Sequence, residues 1–103
     1  MISYINKKGR KVPLEVKRHA VYAFQERFEK LYNVAISCSK AEEYIEARFP
    51  EADRVKNISN KEHRRIRRHG HSLYFRDEDF TYVVHNGVLI TIEISRRGAR
   101  GLN

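Results

Sequence analysis

The chain has 103 residues, room for one domain with one modest core. Hydrophobic residues at 41% and charged residues at 33% exclude the low-hydrophobicity profile of a disordered chain. Lys and Arg total 21 against 13 Asp and Glu, and the resulting formal charge of +8 favours an anionic partner, either a phosphate backbone or an acidic membrane face.

The single cysteine, Cys38, excludes an internal disulfide, and no Cys/His spacing resembles a zinc site. Flanked by Ser37 and Ser39, it reads as a half-buried filler. No apolar run approaches the roughly 18 residues of a membrane span. The first residues, Met1, Ile2, Ser3 and Tyr4, lack a signal-peptide core. The expectation is a soluble, cytoplasmic protein with no membrane association, metal or cofactor.

Residues 1–12 form a basic segment with Lys7, Lys8, Arg10 and Lys11 around Gly9, which punctuates a turn between short strands. Pro13 suits the first turn of a helix. From 14 to 32, Leu14, Val21, Phe24, Phe28, Leu31 and Tyr32 recur at helical spacing and predict an amphipathic helix. Projected at about 100° per residue, His19 falls opposite the Phe24 stripe, on the exposed side. Ser39 and Glu42 match a capping box and predict a second helix that stops at Pro50. Its stripe is Ala41, Tyr44, Ile45 and Phe49.

A connector follows, with room for a short strand around Val55. Ser59 and Glu62 form a second capping-box match that opens either a short helix through 63–69 or a strand. The last third reads as β structure, with strands at 72–76, 80–85 and 88–95. Asn86-Gly87 signals a two-residue type I′ hairpin that pairs His85 with Val88, Val83 with Ile90 and Tyr82 with Thr91. A three-residue Asp77–Asp79 loop puts Leu73, Phe75, Val83, Val88, Ile90, Ile92 and Ile94 on a core face. Ser72, Tyr74, Arg76, Phe80, Tyr82, Thr91 and Glu93 then share the open face. A loop of two or four residues flips the first strand to the other face. Residues 1–95 are read as a single α+β domain, two N-terminal helices packed on a three- to four-stranded antiparallel β-sheet. Residues 96–103, with Arg96, Arg97 and Arg100, are read as a basic flexible tail.

The open face mixes aromatics suited to stacking unpaired bases (Tyr74, Phe80, Tyr82) with Arg76, Thr91 and Glu93. The segment leading into it holds four arginines and three histidines in nine residues, 63–71. Arginine forks bind phosphate and histidines move protons near neutral pH. Cleavage of RNA by its 2′-hydroxyl needs a base, an acid and cations around the phosphate. His63 or His71 would act as base or acid with Tyr74 or Glu93 as partner, while Arg65, Arg68 and Arg76 hold the phosphate. Arg64, Arg65, Arg67 and the N- and C-terminal basic clusters would bind the strand.

The order helix, helix, basic segment and β-meander resembles the barnase–EndoU–colicin–RelE group of small RNases, most of all the RelE-like toxin and phage domains. The resemblance runs over about 14–95. It rests on Arg18-His19-Ala20 with Phe24-Gln25-Glu26-Arg27-Phe28, then the run from Arg68 to Arg76, Val83-Val84, and Leu89-Ile90-Thr91-Ile92-Glu93. It implies metal-independent endoribonuclease activity on an open sheet face, carried by Arg68, Tyr74, Arg76 and Thr91, with His19 a looser match. RNA, including ribosome-bound RNA, is the implied partner, with DNA or a protein such as an antitoxin or host factor also open. Two other readings compete: a non-enzymatic RNA- or DNA-binding module, and a phage-type protein inhibitor of a host nucleic-acid-binding factor.

Overall fold

A computed structural model describes residues 2–55 and 72–95. The chain opens with an antiparallel hairpin of β1 (Ser3–Ile5) and β2 (Lys11–Pro13), followed by the short strand β3 (Glu15–Val16). Helices α1 (Arg18–Tyr32) and α2 (Cys38–Arg48) come next, then a 3₁₀ turn Phe49–Glu51 and β4 (Asp53–Val55). After 56–71, β5 (Leu73–Arg76), β6 (Phe80–His85) and β7 (Val88–Ile94) complete the chain. The expected helix or strand at 59–70 and the tail at 96–103 lie outside the described residues.

The class is α+β as expected, but the sheet is larger and mixed. Five strands run in the order β3-β7-β6-β5-β4, with β3 parallel to β7 and the other pairs antiparallel. The edge strand β4 fills the room left for a short strand around Val55, and the other, β3, is two residues long, too short to show alternation in the sequence. Among the described residues no helix is long and apolar enough to cross a membrane.

Helix α1 starts later than its stripe suggests. Pro13 closes β2, and the next amides serve strands: Leu14 N–H donates to Ile2, Glu15 N–H to Gly87 and Lys17 N–H to Leu89. Leu14 is still buried, but from extended backbone. Asn33 ends the helix at φ 59, and its N–H donates to the Glu29 carbonyl at 2.8 Å. The cap of α2 lies two residues before the expected one. Ser37, not Ser39, accepts from the Lys40 amide, at 3.1 Å. Cys38, read as half-buried, is exposed at the start of α2, where its thiol donates to Gln25 Oε1. The helix ends before Pro50, as expected.

Two registers decide which side chains meet the helices. Asn86 and Gly87 turn at φ 49 and 80, and His85 pairs with Val88 as expected. Beyond the turn, a bulge lets β7 spend one extra residue, Ile90. Val83 therefore pairs with Thr91, and Tyr82 with Ile92. At the other turn, Asp77 N–H donates to the Phe80 carbonyl and Arg76 pairs with Thr81, so only Glu78 and Asp79 span the link. This is the two-residue alternative, and it shifts the faces of β5 and β6 relative to each other.

The helix-facing core therefore contains the cross-strand rows Phe75–Tyr82–Ile92 and Leu73–Val84–Leu89, together with Phe80 and Ile94. Phe24 of α1 packs on Phe80 with ring centroids 4.9 Å apart, and Phe49 meets both Phe75 and Tyr82. Val88 and Ile90, expected in this core, stand outside it, while Val83 is fully buried but on the opposite face of the sheet. Each large side chain taken from water stabilises the fold by about 1.5–3 kcal/mol, which is why the registers that bury Phe80 and Tyr82 prevail.

Candidate functional site

Tyr74, Val83 and Thr91 form one cross-strand row, and Arg76, Thr81 and Glu93 the next. The sequence reading that Tyr74, Arg76, Thr91 and Glu93 share a face holds. The stacking aromatics do not join them. Phe80 and Tyr82 are 0% exposed on the opposite, helix-covered face, where no base can reach them. His63, Arg64, Arg65, Arg67, Arg68, His71, Arg96, Arg97 and Arg100 lie outside the described residues.

Of these four positions Tyr74, Arg76 and Glu93 are half-buried and Thr91 is buried. Thr91 is 4% exposed. Glu93 is engaged by Arg27 of α1 through a two-pronged contact, Nη2 to Oε1 at 3.0 Å and Nε to Oε2 at 3.4 Å. Arg27 also lies 3.2 Å from Glu26. Arg76 donates through Nε to Thr81 Oγ1 at 3.4 Å. Burial pushes the Tyr74 hydroxyl above the ordinary phenol range, which makes it a weaker acid. His19 is exposed on α1, as its helical phase predicts.

A second cluster ties both helix ends to the β5–β6 turn. Asp77 Oδ1 accepts the N–H groups of Asp79 and Phe80 at 2.9 and 2.7 Å, and its Oδ2 accepts the Tyr82 hydroxyl at 2.6 Å. Arg48 bridges Asp77 and Asp79 at 3.1 Å each and lies 4.9 Å above the Phe80 ring. Tyr32 donates to Asp79. Burial, then the hydrogen bond to Asp77, pushes the Tyr82 hydroxyl far above the phenol range; burial and Asp79 also raise Tyr32. The turn at 77–79 is thus held by ion pairs. Every polar group in this cluster has a partner, so its chemistry is that of a structural clasp.

The β1–β2 turn is different. Asn6 Oδ1 accepts the N–H groups of Lys8 and Arg10, each at 3.0 Å. The backbone of Asn6 also accepts from Gly9 and donates to Arg10. Gly9 sits at φ 77, where a side chain would strain the turn. Lys7, Lys8, Arg10 and Lys11 are exposed around this braced loop, and among the described residues none enters an ion pair.

Beside the loop lies a cleft of about 430 Å³. Asn6, Lys7 and Lys8 line one side, His85 and Asn86 of the β6–β7 turn the other, with Tyr4, Leu73 and Val84 between. The His85 ring is held through Nε2, 3.3 Å from the Asn86 amide nitrogen. Among the described residues its Nδ1 is buried with no hydrogen-bond partner, a state that costs about 1–3 kcal/mol. The sequence marked Lys7, Lys8, Arg10 and Lys11, but the Gly9 and Asn86-Gly87 turn signals did not show that the two turns meet. No family model, curated protein or solved structure matches the chain.

Proposed function

We propose that this chain binds nucleic acid through its phosphates, single-stranded RNA first, and that the β1–β2 turn is a primary docking element. The observation that carries the reading is the braced turn with its four exposed cations, none of them ion-paired among the described residues, in a chain of net charge +8. Such a loop pays little ordering entropy when it meets a phosphate backbone. Backbone neutralisation supplies most non-specific affinity and makes it salt-dependent.

Metal-independent cleavage of the RelE-like type would rest on His63, Arg68 and His71. Among the described positions, Glu93 is neutralised by Arg27 and Thr91 is closed to solvent, so neither offers a ready base. Incubating labelled RNA and matched DNA with the protein in EDTA separates the activities. Intact RNA with a salt-dependent shift is the binding result; RNA cut to 2′,3′-cyclic ends adds cleavage. Absence of any RNA complex at low salt removes the proposal.

A further inference from the structure

We infer that the cleft between the β1–β2 and β6–β7 turns takes one unpaired nucleotide, its base against Tyr4 and Leu73 and its phosphate at Lys7 and Lys8. The inference deepens the reading of the β1–β2 turn as a phosphate-binding element and rests on it. A phosphate alone would use only the lysine edge of this cleft. The half-buried Tyr4 and Leu73 and the amide and imidazole of Asn86 and His85 would contribute nothing to it.

A nucleobase matches all three kinds of surface. Its flat face suits Leu73 and the Tyr4 ring, and its edge carries donors and acceptors that an amide and an imidazole read. The size agrees: about 430 Å³ lies within the range of about 300–1,000 Å³ for small-ligand sites. That admits one nucleotide and excludes a duplex.

His85 supplies the independent observation. Among the described residues its Nδ1 is buried without a partner, and the ring's Nε2 lies against the Asn86 amide. Turning about χ2 would present a ring nitrogen to a base edge and relieve the unmade hydrogen bond. The lysines are already placed, because Asn6 and Gly9 hold their turn.

The test is amide-shift mapping by NMR on the full chain, titrated separately with uridine or adenosine 5′-monophosphate, the matching nucleoside, inorganic phosphate and a single-stranded RNA. The expected result is saturable shifts at Lys7, Lys8, Leu73 and His85 with a nucleotide, and weaker shifts confined to the turn with phosphate. Movement with both mononucleotide and RNA supports a site open to either; movement with RNA alone assigns it to a strand. Equal effects of phosphate and nucleotide would overturn the inference as an adventitious ion only, and so would no shift at Leu73 and His85 with any probe. His85→Ala should weaken RNA binding by about tenfold, the scale of one base contact. Unchanged affinity in that variant, with salt-dependent RNA binding intact, would sink the cleft and leave the docking turn standing. Loss of all RNA binding by the wild-type chain would sink the docking turn instead.

Discussion

Arg48 at the end of α2 places Nε 3.1 Å from Asp77 Oδ2, the same oxygen that accepts the Tyr82 hydroxyl at 2.6 Å. One carboxylate thus joins a helix end, a sheet turn and a core phenol. Removing the cation leaves Asp77 and Asp79 facing each other without compensation. Arg48→Ala should lower unfolding stability by about 2–3 kcal/mol, below the full cost of a deeply buried pair because Arg48 is partly exposed. Urea denaturation checks this, and a loss under about 0.5 kcal/mol would mean the clasp is ornamental.

The clasp also gives stability a direction with pH. The folded chain raises the Tyr82 pKa above its ordinary value of 10.0, so folding favours the neutral phenol. That contribution is complete below pH 10.0 and is lost as pH rises through the higher folded value. Tyr32 shifts in the same direction. Alkaline titration followed by ultraviolet absorbance and circular dichroism should show late tyrosine ionisation coinciding with unfolding. Tyr82→Phe should flatten that dependence, and an identical profile in the variant would contradict the assignment.

Glu93 is held by Arg27, and the pair is expected to act as a structural tie. Glu93→Gln should cost about 1 kcal/mol of stability, as expected for a partly exposed pair, and leave RNA affinity unchanged. If cleavage is found and vanishes in this variant while the fold survives, Glu93 belongs to the chemistry instead.

Asn6 carries no charge, yet it accepts two amides that shape the basic turn. Asn6→Ala should weaken RNA binding several-fold with the net charge unaltered, because ordering about 1 kcal/mol of loop freedom is deferred to binding. Equal affinity for the two chains, measured by fluorescence anisotropy, would show that charge alone matters.

The parts legible in the sequence are those encoded locally. The Phe24 stripe marked α1, Pro50 marked the end of α2, and Asn86-Gly87 marked the tight hairpin. What escaped depends on one-residue choices or on distance. The extra residue at Ile90 and the closure of Asp77 on Phe80 move Phe80 and Tyr82 from an open face into the core. Period-two reasoning reverses with each such step. Arg48 and Tyr32 carry no local sign that they will meet Asp77 and Asp79. The basic turn was visible as Lys7, Lys8, Arg10 and Lys11, but its neighbour His85 is brought there by the fold.

The measurement that bears most directly on the central claim is RNA affinity against salt for the wild-type chain and for Lys7→Ala/Lys8→Ala/Arg10→Ala/Lys11→Ala. The account predicts that the wild-type logarithmic affinity falls with log salt by about 0.7 per phosphate neutralised, and that the variant binds more weakly with a visibly shallower slope. A folded variant with the wild-type affinity and slope would contradict the claim that the β1–β2 turn docks nucleic acid.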